Sequence, residues 1–475
     1  QVLRGPSSSL YGNASGGVIV IESETGQKPP FVEANLAAGG LGYEKYQLKA
    51  GGKAGRFDYL VNIASQELDG YREHSASEGT LFNGRLGFQL GEDDSLTFAL
   101  NSTDQSLAQD PGGINAAQAA LDRKSARAAN MLYDAGEALD QQRVGIVYER
   151  DRAAGSLMIR NYYVWRDFSN RLPFEQGGAV DLDRFFYGFG AQYTFAVVLS
   201  EQFELMLVFD IDRQNDDRKR FDNMQGVIGP LRLDQQEKVD SNGVFAQSTY
   251  QFSQQWDMTA GLRYDDINFD VTDRYLGDGD DSGEVSFDQF SYSLGLNRNL
   301  ESGVVFAAIG SSFETPTTTE LANPDGSGGF NQSLRPQTAV NYEIGFKSGT
   351  EKLYYEIAVF HIDLDDELVP YELPDSPGRT FYINAGKSTR NGIETAVSWN
   401  TSNGFGIDAS LTWSDFRFDR FIDENGRDFS GSRLPGVPEY FAFLSFNYDN
   451  DAGFTATFET FYSGSLFANN SNSVK

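Results

Sequence analysis

Apolar and polar residues alternate one for one along most of this chain, and the connections between the alternating runs alternate too, short then long. In 255–264, Trp256, Met258, Ala260, Leu262 and Tyr264 fall on one side of an extended strand, with Asp257, Thr259, Gly261 and Arg263 on the other. The runs 290–297 and 440–448 repeat the pattern. A period of two marks a β-strand whose two faces meet different surroundings. Nineteen strands are expected: 31–40, 43–52, 56–67, 79–91, 94–105, 139–151, 154–167, 183–197, 201–213, 238–252, 255–269, 285–299, 303–313, 337–349, 351–363, 379–400, 405–417, 436–449 and 453–463.

From the N-terminal side, every second connection between these strands is tight. The others are mostly long: 68–78, 106–138, 168–182, 214–237, 270–284, 314–336, 364–378 and 418–435. Tight turns on one rim and long loops on the other are the arrangement of a transmembrane antiparallel β-barrel. A soluble β-sandwich shares the period of two but has no reason to sort its loops by rim, and it stays as the alternative. No apolar run approaches the roughly 20 residues of a membrane helix, so any crossing is made by strands. Within the loops, 114–139 is rich in Ala, Leu, Arg and Glu and lacks Pro. It is expected to carry a short helix packed over the barrel mouth.

Composition narrows the chemistry. With 38 Lys and Arg against 68 Asp and Glu, the net charge of −30 argues against nucleic acid as a partner. There is no cysteine and there are only two histidines, His74 and His361, so neither a thiolate nor a His-rich metal centre is expected. No serine is marked as a partner for either histidine, so catalysis is not expected. The acidic stretch at 278–281 matches no familiar calcium loop and reads as a solvated loop. Fifty glycines with 37 Phe and 23 Tyr suit a many-stranded barrel with aromatic girdles.

The first residues carry a resemblance. Val2-Leu3-Arg4-Gly5-Pro6, Leu10-Tyr11-Gly12 and Gly16-Gly17-Val18-Ile19-Val20-Ile21 resemble the end of the plug domain of TonB-dependent outer-membrane receptors. Further on, Phe313-Glu314-Thr315-Pro316, Glu320-Leu321, Leu334-Arg335-Pro336-Gln337-Thr338 and Asn341-Tyr342-Glu343-Ile344-Gly345-Phe346-Lys347 follow in the family's order. So do the stretches at 384–394 and 434–438. The resemblance implies an all-β, transmembrane, 22-stranded type of barrel around a plug. Residues 1–25 would be the C-terminal end of the plug and 26–475 the barrel. About three C-terminal strands, most of the plug and the TonB-contacting segment are expected to be missing. A wall left open exposes unpaired backbone to hydrocarbon, so the chain alone is expected not to transport.

The resemblance also implies a function. It points to active uptake across the outer membrane of a Gram-negative bacterium, powered by a TonB–ExbB–ExbD complex, amid membrane lipid and lipopolysaccharide. The region 110–113 and the segment 313–347 look most like receptors for a ferric siderophore or similar small iron chelate, carried as cargo rather than held as a cofactor. Cobalamin, an oligosaccharide or haem is the next reading, and a passive porin or adhesin a more distant one. Arg4 would lie on the plug, facing Glu343 and Glu394 on the barrel wall as a plug–barrel lock. Gly5, Pro6, Leu10, Tyr11, Gly12, Gly16 and Gly17 would make the tight turns of the plug. Arg213, Arg218, Lys219 and Arg220, with Arg166 approaching the same rim, are the candidate contacts for an anionic chelate, although neighbouring aspartates offset their charge.

Overall fold

In the computed structural model, the structure describes residues 2–4, 12–13, 17–196, 202–324, 329–373, 380–384, 386–423 and 425–475. A small sheet pairs β1 (Val2–Arg4) with β2 (Gly17–Ile19). One large antiparallel sheet of 19 strands follows. It begins with β3 (Phe31–Ala38), β4 (Glu44–Ala54), β5 (Phe57–Leu68), β6 (Ser77–Gln89), β7 (Asp94–Gln109), β8 (Gly136–Arg152), β9 (Gly155–Arg171) and β10 (Ala179–Phe195). It continues through β11 (Phe203–Met224), β12 (Val227–Ser253), β13 (Trp256–Asp273), β14 (Gly283–Leu300), β15 (Gly303–Glu314), β16 (Gln337–Gly349) and β17 (Leu353–Asp365). A separate hairpin, β18 (Leu368–Glu372) with β19 (Thr380–Asn384), stands outside the ring. The ring resumes with β20 (Lys387–Asn400), β21 (Phe405–Arg420), β22 (Tyr440–Asp449) and β23 (Thr455–Ser463).

Strand order runs around a ring in which β23 comes back to β3. β23 and β3 are hydrogen-bonded neighbours that close the ring, but unlike every other neighbouring pair they share no long residue-by-residue register among the described residues. All nine residues of β23 and seven of the eight in β3 are exposed. Among the described residues that seam is the most weakly laddered place in the wall.

The ring is inside-out relative to a soluble protein. Leu262, Tyr264, Phe290, Leu294, Tyr342 and Ile344 are exposed on its outside, while the alternate residues Arg263, Asp265, Ser291 and Asn341 are buried within. A sandwich would bury the first set, so the soluble alternative falls. Aromatic rings band the outside at two levels. Tyr163, Trp165, Phe185 and Tyr187 stack with centroids 5.6–6.4 Å apart, and Tyr193 meets Phe195 at 4.6 Å nearer the tight turns. Phe185 and Phe195 share one face of β10, ten residues apart. At about 3.3 Å per residue and a tilt near 40°, that separates the two bands by roughly 25 Å, the height of an apolar membrane belt.

The tight turns lie where the alternation placed them, for instance between Arg152 and Gly155 and between Ser253 and Trp256. Three expectations change. The segment 214–237 is not a loop. β11 and β12 run through it as one tall hairpin, closed by Gln225 (φ 54°) and Gly226 (φ 90°), the left-handed pair a two-residue turn needs. The 27 residues of β12 span roughly 90 Å at about 3.3 Å per residue, far more than any bilayer requires. Above the membrane both faces of a strand meet water, so the period of two fades while the backbone ladder continues. The expected strand 379–400 is two elements, β19 and β20, separated at Gly386 (φ 97°). The connection 110–135 carries two short helices rather than one, α1 (Ala116–Leu121) and α2 (Ala128–Leu132). Asn115 and Gln118 close a capping box on α1, and Arg72 ties this connection down through the carbonyls of Pro111, Gly112 and Ser125.

The largest apolar core sits inside the ring. Ile267, Phe269 and Val271, from the inward face of β13, pack against Phe313, Leu321, Phe330 and Leu334. The described parts of the connection, 315–324 and 329–336, are therefore folded inward onto the wall, at the mouth opposite the tight turns.

Candidate functional site: the inner wall

Charged side chains on the inside meet across intervening glycines. Register places Arg160, Gly190, Asp210, Gly243 and Asp265 in one row over five adjacent strands, β9 to β13. With no side chain on Gly190, Arg160 reaches over it to Asp210 (Nη2–Oδ1 2.6 Å). Gly243 leaves room in the same way for Arg263, one register step down β13. Arg263 binds Asp265 (Nη2–Oδ1 2.9 Å, with Nε 2.9 Å from both oxygens) and Asp210 (Nη1–Oδ2 3.3 Å). In the next row Tyr162 donates its hydroxyl to Asp212 across Gly188. Arg263 is buried with Asp265, so this network is desolvated and directional rather than a loose surface pairing. A cleft of about 440 Å³ opens beside it, lined by Arg160, Tyr162, Val208, Asp212 and Arg263.

A second row lies nearer the long-loop mouth, where Gln141, Arg166, Arg184, Asp216 and Glu237 follow one another across β8 to β12. Arg184 grips Asp216 through two bonds of 2.8 and 2.6 Å. Arg166 gives two to Gln141 Oε1 at 2.8 and 2.6 Å. Buried Arg218 binds Glu237 (2.7 Å) and reaches toward Thr318 and Thr319 on the inward-folded connection.

The five candidate cations therefore do not make one patch. Arg166, Arg218 and Arg220 are on the inward side, whereas Arg213 and Lys219 alternate onto the outside. Arg213 is there bound to the Ser241 carbonyl, to Asn242 and to Asp240. Because 214–220 is strand rather than loop, sequence neighbours are sent to opposite faces.

Glu343 and Glu394 both point inward, on β16 and β20 with β17 between them. Arg4 ends β1 opposite Gly17, and its side chain lies outside the described residues. So do Gly5, Pro6, Leu10, Tyr11 and Gly16. Gly17 is left-handed (φ 116°), and Gly12 is buried and left-handed (φ 74°) against Arg263 and Asp265.

Neither histidine stands open. His74 is held at 2.7 Å by the Ala135 carbonyl, and His361, on the outer side beside Tyr342, lies 2.7 Å from Asn391 and 3.2 Å from Asp363. The carboxylates of Asp273, Asp278 and Asp281 come within 4.8 Å of one another. Both Asp273 oxygens already accept backbone N–H groups, from Tyr275 and Asp281. Arg160, Asp210, Arg263 and Asp265 escaped the sequence reading. The signal that could have found them is glycine recurring on the charged face of a strand, as in Gly188-Phe189-Gly190.

Residues 25–475 match the family described as TonB dependent receptor-like, beta-barrel. The chain belongs to the TonB-dependent receptors. Among curated relatives, the rhizobactin receptor of Rhizobium meliloti (strain 1021) is 22% identical over 482 residues, covering 84% of this chain and 64% of that protein. The vitamin B12 transporter BtuB of Vibrio vulnificus (strain CMCP6) is 30% identical over 138 residues, 27% of this chain and 21% of that one. The chain thus spans less than two thirds of the length of either. Among solved structures, the siderophore receptor PiuA from Acinetobacter baumannii superposes with a TM-score of 0.79 at 16% identity, over 100% of this chain and 77% of its own. The fold is that of a TonB-dependent transmembrane barrel.

Proposed function

We propose that this chain is the barrel, with the C-terminal end of the plug at residues 1–25, of an outer-membrane receptor that takes up a ferric siderophore in a Gram-negative bacterium. Energy would arrive from the TonB–ExbB–ExbD complex through parts of the plug, and the work would be binding and gated passage without covalent chemistry. The observation that carries this reading is the likeness to a rhizobactin receptor over 84% of the chain, against 27% for the cobalamin transporter. The two aromatic bands support a setting in membrane lipid, with the tall β11–β12 hairpin and the long connections reaching into the lipopolysaccharide and beyond. The seam between β3 and β23 is where this reading places the strands that complete a 22-stranded wall. In Arg166, held by the neutral amide of Gln141, the inner mouth offers a guanidinium to an anionic chelate.

Deletion of the full-length gene tests the proposal. Growth under iron limitation and uptake of radiolabelled ferric chelates should fall on deletion and return on complementation. Uptake of labelled cobalamin that falls instead, with iron uptake intact, assigns the receptor to the other cargo.

A further inference from the structure

Two glycines from opposite sides bracket one buried guanidinium. On the wall, a β-carbon at Gly243 would collide with Arg263 Nη2. On the plug side, a β-carbon at Gly12 would lie 3.0 Å from the same nitrogen and 3.3 Å from Asp265 Oδ1. Gly12 is held at φ 74°, a conformation that disfavours other residues. The next residue is fastened as well. Asn13 donates from Nδ2 to Thr315 Oγ1 (3.0 Å) and accepts at Oδ1 from the Thr315 N–H (3.0 Å). Thr315 is buried and begins the connection that folds inward onto the wall.

We infer that Arg263 and Thr315 form a seat for the Gly12–Asn13 turn, which holds the plug against the wall separately from the Arg4, Glu343 and Glu394 positions. The inference deepens the uptake reading and rests on its assignment of residues 1–25 to the plug. Arg263 acts as a positioning residue. Asp210 and Asp265 fix its guanidinium, Gly243 leaves room for it against the wall, and Gly12 rests against its Nη2 and Nε. Any push from the wall sends the guanidinium toward the lumen, into the space the turn occupies. Asn13 then sets the register of the turn through two reciprocal bonds that only a carboxamide supplies.

The test uses the full-length receptor and a readout that needs no ferric ligand: entry of a large hydrophilic antibiotic that a plugged barrel excludes. Gly243→Ala, which displaces the guanidinium, and Asn13→Ala, which touches no strand, should each lower the inhibitory concentration by about ten-fold, the shift that a tenfold change in seating produces. Heat-modifiable gel mobility confirms that the barrel is folded. The 475 residues contain no cysteine, so Asn13→Cys with Thr315→Cys adds a single thiol pair to them, and its oxidation should restore exclusion in the Gly243→Ala background. Folded variants that exclude the antibiotic as well as the parent does overturn the seat. Variants that leak from a receptor that takes up no iron chelate support the seat and remove the uptake reading instead.

Discussion

Asp210 gives one oxygen to Arg160 and the other to Arg263, so its removal leaves two guanidiniums short of a partner on a largely buried wall. Breaking such a pair costs about 3–5 kcal/mol where both groups are desolvated. Arg160 is 44% exposed, which puts Asp210→Ala at the low end, about 3 kcal/mol. Asp134→Ala removes the partner of Arg171, where both side chains are about half exposed, and should change stability by no more than about 1 kcal/mol. Denaturant titration of the refolded barrel separates the two, and equal losses would refute the inward placement. Gly190→Ala would set a β-carbon 2.5 Å from Arg160 Nε and 2.8 Å from Asp210 Oδ1, and should cost about 1–3 kcal/mol by the same measurement. The sequence shows that Arg160, Gly190 and Asp210 are each on a strand. It does not show that they share a row, because a one-residue slip in either ladder would send Gly190 or Asp210 to the other face.

Elements differ in how far their local sequence commits them. The β11–β12 hairpin was hidden because its charged residues break the apolar alternation, yet it turns on two residues with positive φ. Gly226→Val forces a β-branched side chain into φ 90° and should fray the hairpin tip, read as faster amide exchange around 220–231 with the lower ladder unchanged. The connection 421–439 depends on acid–base pairing instead. Arg433 donates to Glu439 at 2.7 Å and holds its carboxyl below the usual range. Burial pushes Asp423 up, but bonds from the Arg427 and Asn425 amides and the Arg427 guanidinium outweigh it and leave that carboxyl low. Both carboxyls are depressed on folding, so their contribution is present above the unfolded value near 4 and is lost as pH falls through the lower folded value. Protease nicking within 421–439 should therefore rise at pH 3 relative to pH 7 while the strands stay protected, and nicking that is equal at the two pH values would dismiss the pairing as a brace. Asp423, Arg427 and Arg433 fall in the loop expected at 418–435, whereas Glu439 was expected in the strand 436–449, and the pairing itself was not legible, because side-chain pairing inside a loop leaves no periodic trace.

The whole molecule is a closed ring of ladders with one weak join. Strands β11, β12 and β13 are laddered on both sides, whereas the outer edges of β3 and β23 have no paired register among the described residues. In detergent, amides of β3 and β23 should exchange at least about 100-fold faster than those of β12, since opening free energies track the contacts an element must break. Uniform protection would mean that the seam is bonded as firmly as the rest. The seam also explains why strand number alone, which the alternation anticipated well, could not say whether the wall is evenly laddered around its circumference.

Alternation and turn chemistry are local properties, and they were enough to specify an all-β chain, most of its strands and the rim of tight turns. Three things belong to the folded molecule alone: the tall hairpin, the separation of Arg213 and Lys219 from Arg218, and the meeting of Gly12, Gly243 and Arg263. Each depends on which strand lies beside which, and in what register. The ladders join strands that follow one another around the ring, so what the sequence leaves open is their register and which side chains it brings into one row, and no single strand encodes that.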